Sequence, residues 1–184
     1  MNPILQTSRL AVRRFDVRDG SAFSALYGSL DVMQFIADGM PWSAEDIAAE
    51  FQRVLSREPV PPLLGRVAVV LRENGAVVGW GLLDQWEDLA LHEVGFGLLP
   101  TFHGKGLGLE LATSLVDHYR ADCVQNPLVA TVHRENQPSV RILHKLGFQK
   151  VGIARREART KDLYVLGAPD LSEAVARGIV EKVI

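Results

Sequence analysis

Residues 100–108 read Pro-Thr-Phe-His-Gly-Lys-Gly-Leu-Gly and stand between an apolar extended run and an apolar-periodic helix. Glycines at 104, 106 and 108 allow positive φ and close backbone approach. Successive N–H groups can then converge on an anion at the positive end of the following helix. The stretch reads as an anion-binding turn, with a glycine-rich bend that holds no ligand as the alternative. A Walker loop would need Ser or Thr after its lysine, and Lys105 is followed by Gly106. A Rossmann fingerprint would follow the first strand of a βαβ unit, whereas this turn follows a meander.

Downstream, Leu107, Leu111, Leu115 and Val116 share one face of a helix expected to end near Ala121. A β-branched run, Leu128 to His133, leads to Asn136 and Pro138, which start a second helix with Val140, Leu143 and Leu146 on its apolar face and Gly147 as its stop. Phe148 to Ala154 and Asp162 to Leu166 read as closing strands, and Leu171 to Val183 as a terminal helix weakened at Gly178. That helix has two open uses, packing on its own domain or pairing with a second subunit as a homodimer.

Upstream, Arg9 to Phe15 alternates as a half-buried strand, with Leu10 and Val12 inward, and Asp19 reads as a helix cap. Phe23, Leu26, Tyr27 and Leu30 then recur at helical spacing. Ser43 and Asp46 form a capping-box pattern before a helix carrying Ile47, Phe51, Val54 and Leu55, which Pro59, Pro61 and Pro62 stop. Arg66 to Arg72 and Ala76 to Asp84 flank Asn74-Gly75, a hairpin signal. After an acidic loop at 85–88, Leu89 to Leu99 is a strand whose Gly95 and Gly97 mark a bulge or a close neighbour. The order predicts one mixed α/β domain over 1–184, with a core at 7–168.

Composition narrows the function. A hydrophobic share of 47% and a charged share of 23% suit a soluble globular chain. No apolar run approaches a membrane span, and the first residues lack a basic and apolar leader, so a cytoplasmic location is expected. A net charge of -2 without basic blocks argues against nucleic acid as a partner. Cys123 is the sole cysteine and reads as structural, and five scattered histidines lack ligand spacing, so no metal is expected.

With these residues in place the chain resembles the GCN5-related N-acetyltransferases (GNAT), and within them the RimJ and RimL type that acetylates ribosomal-protein N-termini. Four segments carry the resemblance: Thr7-Ser-Arg-Leu with Val12-Arg-Arg-Phe; the hairpin from Gly75 to Gly81; Glu93-Val-Gly-Phe-Gly-Leu-Leu-Pro running into His-Gly-Lys-Gly-Leu-Gly; and Asn136-Gln-Pro-Ser-Val-Arg-Ile-Leu-His-Lys-Leu-Gly-Phe. The resemblance implies a mostly antiparallel sheet flanked by helices, with a V-shaped splay that holds acetyl-CoA. Pantetheine would lie along the strand backbone, where N–H groups near Phe96, Gly97 and Leu98 would also polarise the thioester carbonyl. The pyrophosphate would sit on the N–H groups of Gly104, Lys105, Gly106, Leu107 and Gly108, with the Lys105 charge near it and His103 shaping the turn, and Asn136 and Ser139 would meet pantetheine.

The implied reaction is acetyl transfer to an amine, either a protein N-terminus or a small molecule. Glu93 is the candidate base, with His92 and His133 as rivals, and only one of His92 and Glu93 can face the cleft. Relatives often place a tyrosine acid seven residues after the asparagine, where this chain has Leu143. The RimL type resembles this chain in having a serine three residues after the asparagine, which implies that Ser139 serves the departing sulfur, and Tyr164 reads as core or pocket wall. Phe35, Trp42, Trp80 and Trp86 are candidates for the acceptor pocket or for the core. A catalytically silent acyl-CoA-binding domain is the alternative function.

Overall fold

A computed structural model describes residues 2–58, 60, 61, 63–86, 89–122, 127–156 and 159–183. Pro59, Pro62, Glu87, Asp88 and Cys123, which figured in the sequence reading, lie outside the described residues. The chain opens with strands β1 (Leu5–Gln6) and β2 (Leu10–Arg13), then helices α1 (Gly20–Tyr27), α2 (Leu30–Met33) and α3 (Ala44–Ser56). A meander follows, made of β3 (Gly65–Leu71), β4 (Val77–Gln85) and β5 (His92–Leu98). Then come α4 (Leu107–Asp122), β6 (Leu128–Val132), α5 (Gln137–Lys145), β7 (Gln149–Arg156), β8 (Arg159–Leu166), α6 (Ser172–Ala176) and β9 (Val180–Val183). Among the described residues the nine strands form one sheet in the order β1-β2-β3-β4-β5-β6-β8-β7-β9, with β5 and β6 as its parallel pair.

That parallel pair creates the opening. Its register covers His92↔Leu128 and Glu93↔Val129 and goes no further, so Gly95 to Leu98 continue β5 without a ladder partner on the β6 side. On its other side β5 stays paired with β4 from Gln85↔His92 to Gly79↔Leu98. A sheet that splits after two residues leaves a wedge-shaped gap between strands.

Layers on both faces follow from the side-chain alternation of strands. Leu111 and Leu115 of α4 and Leu143 of α5 pack with Val67, Val69, Val94 and Ala130 on one face. The other face carries Phe23, Tyr27 and Ile47 of α1 and α3 against Ala68 and Trp80. The apolar face expected for α4 is buried throughout: Leu107, Leu111, Leu115 and Val116 expose 4% or less. Each such side chain contributes roughly 1.5–3 kcal/mol of burial.

Two expectations are corrected. The terminal helix read over Leu171–Val183 is only α6, because Gly178 takes φ +68 and turns the chain back. The β-branched residues that follow pair with β7 as β9, with Ala154↔Val180 and Gly152↔Val183 in register. Leu171, Ala174 and Val180 bury themselves beside Trp86 and Val129, so this segment packs on its own sheet. Asp19 makes no side-chain cap to α1. It closes a capping box with Asp16 around the 3₁₀ turn Val17–Asp19 and pairs with Arg13 at 2.6 Å. Of the two readings open for Trp86, the structure takes the core: it is fully buried in the C-terminal cluster. Among the described residues, no helix is long and apolar enough to cross a membrane.

Candidate active site

The turn after β5 has two parts. Pro100–Phe102 forms a 3₁₀ turn, and His103 to Gly106 then leads into α4. Gly104 and Gly106 take φ +71 and +77, a region that L side chains rarely enter. Gly108 differs: it lies in the first turn of α4, and a Cβ there would stand 3.1 Å from Ile142 Cδ1 of α5. Two glycines therefore shape the loop, and the third lets two helices approach.

A groove of about 740 Å³ runs from this turn along the open side of β5. His103, Gly104, Gly106, Leu107 and Gly108 line one end, and Phe96, Gly97 and Leu98 line the strand side. Asn136 and Ser139, at the start of α5, face them. Of the residues the sequence pointed to for a cofactor, Lys105 alone is outside the lining. Its ammonium sits 5.3 Å from the centre of the Phe102 ring and lines a neighbouring hollow behind the turn. Arg141 and Lys145 of α5 bring positive charge to the groove instead. Their four-residue spacing after Asn136 on a helix was the signal available in the sequence.

Local chemistry explains these placements. Asn136 accepts a hydrogen bond from Ser139 N at 3.3 Å, so it caps α5 while also lining the groove. His103 Nε2 lies 2.9 Å from the Leu98 carbonyl oxygen and ties the turn back to β5. Gly97 is explained by a neighbour: a Cβ there would sit 2.6 Å from Trp80 Nε1, and one at Gly95 would sit 3.3 Å from the same ring. The indole of Trp80 crosses both glycines, and no bulge occurs in this pairing.

A narrower pocket of about 160 Å³ adjoins the groove and shares Phe35, Ile36, Phe96, Asn136 and Ser139 with it. Its other walls include Trp42, Trp80, Leu143, Lys161 and Glu93. Glu93 is 7% exposed, and Thr131 of β6 donates to its Oε1 over 2.9 Å. Glu93 also lines a second hollow of about 180 Å³ on the far side, so it stands where two cavities meet. His92 points to the opposite face, where its Nδ1 lies 2.7 Å from the Tyr119 hydroxyl of α4 and burial lowers its pKa. His133 stacks on Phe35, with ring centres 5.5 Å apart, at the rim. Tyr164 is buried edge-on against His144, and burial, ahead of the nearby Asp162 charge, raises its pKa.

Arg66 gave no signal in the sequence beyond opening a strand. Its guanidinium lies 5.1 Å from the Tyr27 ring centre and 5.3 Å from that of Trp80. One terminal nitrogen donates to the Tyr27 hydroxyl, and Nε has no hydrogen-bond partner among the described residues. That Nε is buried and faces Glu50, whose Oε1 lies 3.7 Å from it and whose Oε2 already holds Arg53 at 2.7 Å. Arg66 lines the same pocket as Glu93. The whole arrangement can hold a long ligand with an anionic end on the turn and a reactive end beside a small polar pocket.

The model of the acetyltransferase (GNAT) domain family matches residues 9–149. The chain belongs to the GNAT family. It is 25% identical over 160 residues to the uncharacterized N-acetyltransferase p20 of Bacillus licheniformis, covering 85% of this chain and 88% of that one. Over 92 residues it is 35% identical to the L-methionine sulfoximine/L-methionine sulfone acetyltransferase of Salmonella typhimurium, covering 47% of this chain and 52% of that protein. The solved structure of yncA from Salmonella typhimurium with its cofactor acetyl-CoA matches with a TM-score of 0.62 at 26% identity, over 89% of this chain and 99% of that one. This GNAT chain is an N-acetyltransferase that uses acetyl-CoA.

Proposed function

We propose that this GNAT enzyme transfers the acetyl group of acetyl-CoA directly to the primary amine of a small molecule that also bears a carboxylate. The observation that carries the reading is the junction of the two cavities. The long groove supplies room for the donor, and the inner pocket, which meets it at Asn136 and Ser139, contains Glu93.

An amine with a pKa of roughly 8–10 is mostly protonated at neutral pH. Glu93 accepts that proton, directly or through water, and the free amine nitrogen attacks the thioester carbon. The carbonyl oxygen gains charge beside the N–H groups of Phe96 to Leu98, the C–S bond breaks, the proton that the attacking nitrogen still has to lose passes to the leaving thiolate through water, and the Ser139 hydroxyl donates a hydrogen bond to that sulfur. The position of the expected tyrosine acid holds Leu143, which lines the pocket with no proton to give.

Two observations support a small carboxylate-bearing acceptor over a ribosomal-protein N-terminus of the RimJ and RimL kind. The inner pocket is small, and it sets the Arg66 guanidinium near the base. The Salmonella relative is named for acetylating amino-acid analogues. A guanidinium in the lining of the pocket is suited to a carboxylate.

The test is thiol release from acetyl-CoA with amino acids, their carboxamides and short peptides as acceptors. Free amino acids should turn over fastest. Activity confined to peptides would favour the N-terminal reading, and acetyl-CoA binding without release for any amine would favour the silent binding domain.

A further inference from the structure

The groove's anion-binding turn is held from behind by the N-terminal arm. Arg9 Nη1 donates to the Lys105 carbonyl oxygen over 2.8 Å. The rest of the Arg9 head is taken by Glu110, with Nε at 2.7 Å and Nη2 at 2.6 Å from Oε2. Glu110 Oε1 accepts from the Arg9 amide at 2.9 Å, from Ser8 at 3.0 Å and from Thr7 at 2.5 Å. Arg72 fastens the same arm to β3 by donating to the Thr7 carbonyl over 2.6 Å.

Gly106 lines both the groove and the hollow that contains Arg9 and Glu110, so the turn is a thin wall between them. In a trans peptide the C=O and the following N–H point to opposite sides. A guanidinium that fixes the Lys105 carbonyl from the rear therefore turns the Gly106 N–H toward the front. The two positive-φ glycines leave that peptide free to flip, and Arg9 removes the freedom.

We infer that Arg9, oriented by Glu110, is a positioning residue that sets the 105–106 peptide so that its N–H meets the donor's diphosphate. The inference rests on the groove being the acetyl-CoA site. Its test compares two donors, acetyl-CoA and S-acetylpantetheine, which keeps the thioester and lacks the diphosphate.

In Arg9→Met the ratio of kcat/KM for acetyl-CoA to that for acetylpantetheine falls about tenfold, the worth of one good hydrogen bond, and the loss lies in the KM for acetyl-CoA. Arg9→Lys recovers little, because an ammonium cannot grip Glu110 and the carbonyl together. Glu110→Gln, which keeps the shape and loosens the grip, gives an intermediate ratio. An unchanged ratio in Arg9→Met and Glu110→Gln, with both donors losing equally, overturns the positioning role and makes the clasp merely structural. A wild-type protein that shows no preference for acetyl-CoA and no CoA binding by calorimetry overturns the donor-site reading beneath it.

Discussion

Glu93 stands opposite Val129 on the last paired rung of β5 and β6, and Thr131, two residues further along β6, donates its hydroxyl to Glu93 Oε1 over 2.9 Å. The sheet opens beyond that rung, so the carboxylate stands at the vertex of the wedge. Replacing it by glutamine keeps the size and removes the base. In Glu93→Gln we expect kcat/KM at pH 7 to fall by about 10²–10⁴. The deficit should narrow at about pH 9 and above, where the acceptor amine loses its proton without help. A pH–rate profile of both proteins checks this, and a variant with full activity across the range removes Glu93 from the mechanism.

Ser139 lies on the boundary shared by the groove and the inner pocket, three residues into the helix that Asn136 caps. If its hydroxyl serves the departing sulfur, Ser139→Ala lowers kcat by roughly 10–10² and leaves acetyl-CoA affinity almost unchanged. A thioester of a more acidic thiol, which leaves without protonation, should recover most of the loss in the variant. Equal losses with both thioesters would assign Ser139 to positioning instead.

Arg66 predicts the acceptor. Its guanidinium lies against the Tyr27 and Trp80 rings, so Arg66→Lys keeps a cation and loses the planar group. We expect KM for amino acids to rise about tenfold or more while KM for their carboxamides moves little. Competition assays with the two acceptor series decide it, and a uniform rise would mean that Arg66 only supports the ring stack.

The two signature stretches were legible because their information is local. Glycines at fixed spacing before an amphipathic helix, and an asparagine with a proline at a helix start, specify backbone shape by themselves, and the structure places both beside one groove. The identity of Gly97 and Gly108 depends on distant partners, Trp80 and Ile142, that no spacing rule connects to them. Lys105 was read by its charge, whereas its direction is set by the turn and by the Phe102 ring. The C-terminal segment has helical composition as far as Gly178, and its later residues become a strand because the free edge of β7 supplies partners that a sequence window does not contain. Arg66 became visible only once folding had brought Tyr27, Trp80 and Glu93 around it.

Two glycine substitutions should fail in different ways. A Cβ at Gly97 would meet Trp80 Nε1 at 2.6 Å inside a paired strand, so Gly97→Ala overpacks the site and costs about 1–3 kcal/mol of stability. A Cβ at Gly104 meets nothing within 4 Å, and Gly104→Ala pays only for its φ of +71, about 1–2 kcal/mol, or relaxes the turn. Thermal unfolding should show a loss in both, at least as large in Gly97→Ala, and the KM for acetyl-CoA should rise in Gly104→Ala. A Gly104→Ala protein with unaltered KM would show that the turn's conformation is irrelevant to the donor.

Glu110 links the clasp to acid stability. Burial opposes its ionisation, yet hydrogen bonds from Thr7, from the Arg9 amide and head and from Ser8 outweigh that cost and hold its pKa at about 2, below an ordinary value of 4.5. A carboxyl lowered on folding stabilises the native state above its unfolded pKa, and that contribution is lost as pH falls through the folded one. Stability should therefore drop between pH 4.5 and about 2 through Glu110, with Asp16, also held at about 2 by Arg18, adding to the same window. Glu110→Gln should be less stable at pH 7 and should lose less on acidification. Melting temperatures of both proteins from pH 7 down to 2 check it, and parallel curves would mean that the Thr7, Ser8 and Arg9 contacts do not stabilise the charged form.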